Sequence, residues 1–114
     1  MLRVLGAVTD REIHEQVFAA ATGMNGAGRF RAQCGLVEGG LMFLGIWGHG
    51  RGRSPEEVEN LCKAYAREFE TRFGSLLCRD LRPQGFAEGQ PQHLCEGLSV
   101  DAANWAAQWV GRLS

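Results

Sequence analysis

Cys34-Gly35-Leu36-Val37-Glu38-Gly39-Gly40-Leu41-Met42-Phe43-Leu44-Gly45-Ile46-Trp47-Gly48 is the stretch that decides the fold. It is apolar nearly all round a helical wheel, and its longest apolar run is Leu41 to Trp47. A bilayer span needs roughly 18–20 such residues, so the segment reads as a central buried helix with no membrane insertion. The helix opens near Cys34 and closes in Gly48-His49-Gly50-Arg51-Gly52. Gly35, Gly39, Gly40 and Gly45 each cost about 1 kcal/mol against alanine in a helix. Tolerating four of them implies close packing in return, with another backbone or a cofactor against the small face.

Downstream, Ser54 reads as an N-cap, Pro55 as the first helical residue and Glu57 as the closing partner of a capping box. Val58, Leu61, Cys62, Tyr65, Phe69 and Phe73 mark one apolar face, and Gly74 ends the helix. Ser75 caps a short segment, Leu76 to Leu81. A loop punctuated by Pro83, Gly85, Gly89 and Pro91 leads to a last helix, from near His93 or Cys95 to about Leu113. Its inward residues are Leu98, Ala102, Trp105, Ala106, Trp109 and Val110, with Trp105 and Trp109 in the core or at a subunit interface. Upstream, Thr9 and Glu12 spell a capping box for a helix reaching Thr22 through Ile13, Val17, Phe18 and Ala21, with His14 on its exposed side. Gly23 to Gly28 then form a Gly-rich loop. No run alternates with period two. The reading is all-α: one helical domain over 1–114, a compact bundle of four to five helices with Gly-rich loops.

The chain has 114 residues, net charge −1 and 16 glycines. Its 45% apolar and 22% charged residues exclude a disordered chain. A balanced charge gives no footprint for nucleic acid or an acidic membrane. Met1 to Val8 is too short for a secretory h-region and is followed at once by Asp10, Arg11 and Glu12, so a cytoplasmic location is expected. There, cysteines more often serve metal or redox chemistry than a disulfide framework.

The cysteines are Cys34, Cys62, Cys78 and Cys95, with 27, 15 and 16 residues between them. No C-x-x-C, zinc-ribbon or haem-attachment spacing occurs. Position says more than spacing. Cys34, Cys78 and Cys95 each fall at or near a predicted helix start, where unpaired N–H groups favour a thiolate. Arg79 adds positive charge beside Cys78, and His93, two residues before Cys95, is a candidate hydrogen-bond donor to its thiolate. Cys62, mid-helix on an apolar face, reads as a small hydrophobe. Glu38 places a carboxylate one turn from Cys34, as a base or as a charge opposing the thiolate. His49 reads as a surface residue or a ligand. No nucleotide loop, H-E-x-x-H or Ser-His-Asp arrangement is suggested.

Gly23-Met24-Asn25-Gly26-Ala27-Gly28, followed by Cys34-Gly35-Leu36-Val37-Glu38-Gly39-Gly40-Leu41-Met42 and Leu44-Gly45, resembles the CGAxxG segment of the C_GCAxxG_C_C family of redox-active proteins. Ser54 to Glu57, Phe69 to Gly74 and Cys78-Arg79-Asp80-Leu81 continue the likeness, and Cys95 resembles the family's last cysteine. A similar segment occurs in split-Soret cytochromes. The family's first cysteine, in an Asn-Cys-Ala-Gln-like helix, has no counterpart here, and Leu2-Arg3-Val4-Leu5 resembles the residues just after it. Leu36 stands for the motif's alanine, and Cys62 is not at a family cysteine position.

The resemblance implies a small helical redox protein working beside an electron-transfer or transporter-associated partner. Cys34, Cys78 and Cys95 would ligate an iron-sulfur cluster or other metal, or form a thiol–disulfide relay. Three matching thiols are fewer than the four usual for a cluster, so this chain is also expected to be able to exist without one. Two further expectations stand beside these. One is a non-catalytic interaction or dimerisation module, with a homodimer plausible in either case. The other is structural zinc held by the three cysteines with His93 or His49.

Overall fold

Helix α3 (Gly35–Gly50) runs through the centre of the molecule, and its sequence explains why. Val37, Phe43, Leu44 and Trp47 are buried on it together with Gly39, Gly40 and Gly48. The structure, a computed structural model of the chain, describes residues 1–24, 26–81 and 96–113. Around α3 stand α1 (Leu2–Val8), α2 (Glu15–Thr22), α4 (Pro55–Phe73), α5 (Cys78–Leu81) and α6 (Glu96–Gly111). Helix α3 packs on α1, α4 and α6, and α1 also packs on α6. The fold is all-α, with no strand among the described residues, and no described helix is long and apolar enough to cross a membrane. Among the described residues the bundle has six helices, five of them seven residues or longer; the one not anticipated as a separate element is α1.

The expected glycine packing is real at Gly39 and Gly40 and absent at Gly45, and Gly48, not among the glycines expected to pack, is closely packed as well. A Cβ at Gly40 would fall on the Tyr65 phenol, one at Gly39 would lie 2.9 Å from the Met1 side chain, and one at Gly48 would lie 2.5 Å from Val58. Gly45, by contrast, has nothing within 4 Å of its Cβ position. On the α4 side an aromatic cluster closes the core. Tyr65 meets Trp105 at 5.1 Å and Trp109 edge-on at 5.4 Å, and Phe69 meets Trp105 at 5.6 Å. The Trp109 indole N–H donates to Glu68 Oε2 at 2.5 Å.

Helix α4 begins and ends as its sequence predicts. Ser54 and Glu57 form the reciprocal capping box, Pro55 opens the helix, and Gly74 closes it at φ 97°. Ser75 accepts from the Leu77 N–H at 3.0 Å, although the helix it precedes is shorter than expected, starting at Cys78.

The amino-terminal reading needs correction. Thr9 ends α1 rather than capping the next helix: its hydroxyl donates back to the Leu5 carbonyl at 2.7 Å. Asp10 turns the chain at φ 51°, and Arg11 N–H returns to Gly6 O at 2.8 Å. The N-cap of α2 is His14, whose Nδ1 accepts from the Gln16 N–H at 3.1 Å. Between the two caps Ile13 packs closely on Gly6, where an added Cβ would lie 2.9 Å from its side chain. The Gly-rich loop also holds a surprise. Gly26–Arg29 forms one turn of left-handed helix, with φ of 64°, 58°, 73° and 68° and a 2.9 Å bond from Phe30 N–H to Gly26 O. Residues 82–95, with the expected loop, His93 and Cys95, lie outside the described residues.

Candidate functional site

The chain segments before α3 and before α5 meet in a single antiparallel bridge between Gln33 and Leu77. Cys34 N–H donates to Leu76 O at 2.8 Å, and Cys78 N–H donates to Ala32 O at 2.7 Å. Directly opposed residues of such a pairing share a face, and so do residues two apart on one strand. Cys34 and Cys78 are therefore diagonal neighbours on one side of the bridge. Both line the same cavity, of about 400 Å³. Cys34, the N-cap of α3, is buried, and Cys78 is half-buried at the first residue of α5.

Apolar walls come from five helices, through Leu2, Phe18, Met42, Leu81 and Leu98. Arg3, Arg29 and Arg31 also line the cavity, and the Arg3 guanidinium lies 4.4 Å from the Phe18 ring centroid. Glu38 also lines it, although it is only 6% exposed. Burial pushes the Glu38 carboxyl up, while the backbone N–H groups of Gly26 and Ala27 pull it the other way. Its Oε1 is buried without a hydrogen-bond partner.

Behind Cys34 stands Tyr65. Its hydroxyl donates to Leu36 O at 3.3 Å, and burial, then the negative charge of Cys34, push the phenol well above its usual range. Cys62 belongs to none of this. Its thiol donates to Leu41 O at 3.8 Å, and burial, then the Glu59 charge, raise it.

Of the residues expected at the site, the structure brings Cys34 and Cys78 to one cavity. Arg79 is exposed and does not line it; its N–H extends the pairing to Arg31 O at 3.3 Å. His49 lies exposed in the last turn of α3, away from the cavity. Cys95 and His93 fall outside the described residues. Sequence reasoning passed over Arg29, Arg31 and Tyr65. The one tyrosine of the chain on an otherwise apolar face was a usable signal, since a buried hydroxyl needs a partner. The arginines gave none, because they lie in and just after a left-handed segment that local propensity does not announce.

The metal expectation can be tested against the donor set. Among the described residues no group of three or more His, Cys, Asp or Glu could hold a metal ion. Cys34 and Cys78 alone supply two of the four thiolates that an iron-sulfur cluster takes, so the described residues do not by themselves fit such a group.

A small helical protein that places two cysteines, at the starts of two helices, on one cavity is the class defined by this fold. The family model described as Putative redox-active protein (C_GCAxxG_C_C) matches residues 3–109. The chain belongs to that family. No curated protein and no solved structure matches it.

Proposed function

We propose that this chain is a thiol–disulfide redox protein in which Cys34 and Cys78 pass electrons to and from a small disulfide. The observation that carries the reading is the antiparallel bridge, which holds both cysteines on one face at the edge of one cavity. A volume of about 400 Å³ is in the range of small-molecule sites. Cys78, the more accessible thiol, attacks one sulfur of a disulfide R–S–S–R as the thiolate and releases one R–S⁻. Cys34 then attacks the Cys78 sulfur of the mixed disulfide, releases the second R–S⁻ and closes a Cys34–Cys78 disulfide. Two electrons move from the cysteine pair to the substrate, and the two cysteine protons end on the two released thiols. Cys34 sits at the N-terminus of a 16-residue helix, where the free N–H groups favour a negative sulfur.

The test is to equilibrate protein purified without oxygen in thiol/disulfide buffers and map the disulfides by mass. A reversible Cys34–Cys78 disulfide is expected, abolished by Cys78→Ala and retained in Cys62→Ala. Failure to trap that disulfide at any buffer ratio defeats the relay. Stoichiometric iron with sulfide absorption, lost in Cys78→Ala, would replace it with a cluster that draws on Cys95. Unreactive thiols without metal would leave a helical interaction module.

A further inference from the structure

Glu38 is the unusual member of the cavity wall. It lines the cavity while only 6% exposed, and its Oε1 is buried without a hydrogen-bond partner, although Arg3 and Arg29 line the same cavity. A buried charged oxygen left unsatisfied carries the full desolvation penalty of that group. An acid so placed at a cavity of about 400 Å³ is built for a donor that arrives with the ligand. A cationic donor answers it best, because it supplies the hydrogen bond and favours the charged carboxylate at once.

The same wall carries the opposite charge. The Arg3 guanidinium lies 4.4 Å from the centroid of the Phe18 ring, and both residues line the cavity. Arg29 joins them from the end of the left-handed turn. Guanidinium groups match carboxylates in shape as well as charge. Leu2, Met42, Leu81 and Leu98 add apolar surface suited to a short carbon–sulfur body. A ligand that uses all of this wall carries an anion and a cation close together, and one that uses Cys78 carries a disulfide between them and the thiol.

We propose that the disulfide taken by this cavity is that of an α-amino acid, with L-cystine as the type: Glu38 receives an α-ammonium group, and Arg3 and Arg29 receive a carboxylate. The inference rests on the dithiol reading given above for its chemical step, but not for binding. In that step the Cys78 sulfur bonds to one cystine sulfur, the cystine S–S bond breaks and one cysteine leaves. Cys34 then displaces the second cysteine from Cys78 and closes the protein disulfide. The cysteine pair is oxidised by two electrons, cystine is reduced to two cysteines, and the two protein thiol protons end on them.

The test follows oxidation of the reduced protein by four disulfides: L-cystine, cystamine with ammonium groups alone, dithiodipropionate with carboxylates alone, and uncharged hydroxyethyl disulfide. Each rate constant is divided by that of mercaptoethanol with the same disulfide, which removes intrinsic reactivity. L-cystine leads the other three at least tenfold. Glu38→Gln lowers the cystine-to-dithiodipropionate ratio at least tenfold, and Arg3→Gln lowers the cystine-to-cystamine ratio at least threefold. Equal normalised rates for all four, or a cystine preference that Glu38→Gln leaves intact, overturn the proposal while the relay stands. Binding without chemistry is measured by equilibrium dialysis of labelled L-cystine against the Cys78→Ser protein. Retention there, lost in Glu38→Gln/Cys78→Ser, supports the proposal, and absence of retention overturns it. If the parent protein forms no Cys34–Cys78 disulfide, the relay fails and dialysis alone decides the recognition. Should circular dichroism show Glu38→Gln unfolded, Arg3→Gln decides, and an unchanged cystine-to-cystamine ratio overturns the proposal.

Discussion

The Tyr65 phenol occupies the space that any side chain at position 40 would need, with its hydroxyl reaching past Gly40 to the Leu36 carbonyl. The pair explains why α3 tolerates glycine: it brings α4 close enough for a buried tyrosine to cap the back of the Cys34 site. Gly40→Ala is therefore expected to destabilise the protein by about 1–3 kcal/mol, as overpacking does. Gly45→Ala, on the same helix but with open space around it, is expected to stabilise by up to about 1 kcal/mol through helix propensity. Urea melts of the two variants give opposite shifts in midpoint.

Trp109 is buried, and its N–H has Glu68 as partner. Glu68→Ala leaves that donor without its bond at the edge of the core, at a cost of about 1–3 kcal/mol. Replacing Trp109 by Phe in the same background removes the donor, so the double-variant cycle should show coupling between the two positions. Chemical denaturation of the four proteins measures it.

Ser54 and Glu57 hold the first turn of α4 at both ends of a capping box, at 3.1 and 3.2 Å. Ser54→Ala is expected to cost about 1 kcal/mol. The Ser54 N–H, followed by its hydroxyl, lowers the Glu57 carboxyl from an ordinary value of 4.5. A carboxylate lowered on folding stabilises fully above its unfolded pKa, and that contribution disappears as pH falls through the folded value. The stability gap between the parent protein and Glu57→Gln should accordingly be widest near neutrality and shrink in acid, which thermal melts from pH 7 down to pH 3 would show.

Cys62 is the counter-case to the cavity thiols. Burial and the Glu59 charge raise its pKa above the ordinary 9.0, so it is held as the neutral thiol. Since the thiolate is the nucleophile, iodoacetamide at pH 8 should label Cys62 at least about tenfold more slowly than a free cysteine. The rate should climb when Glu59 is replaced by Gln. Peptide mapping after timed quenching follows each site separately.

Much of this architecture is legible in the residues themselves. The 34–48 window announces a buried helix because no face of it is polar. Ser54, Pro55, Glu57 and Gly74 mark the limits of α4, since caps are local chemistry that needs only neighbours in sequence. The motif cysteines and the family follow from short ordered segments in the same way. Thr9 shows the limit of such local signals: Thr9-x-x-Glu12 satisfies the capping pattern, yet a hydrogen bond to Leu5 and the packing of Ile13 on Gly6 commit it to the end of α1.

The sequence alone therefore determined the helical class, the ends of the longest helix and which cysteines carry the family pattern. Only the tertiary structure decided that Cys34 and Cys78 share one cavity. Their meeting depends on a bridge between residues more than 40 positions apart, which no local propensity encodes. It depends equally on a left-handed turn at Gly26–Arg29 that two of its residues resist on their own. That conformation is held by contacts outside local propensity, among them the bonds from the Phe30 and Ala32 N–H groups to Gly26 O.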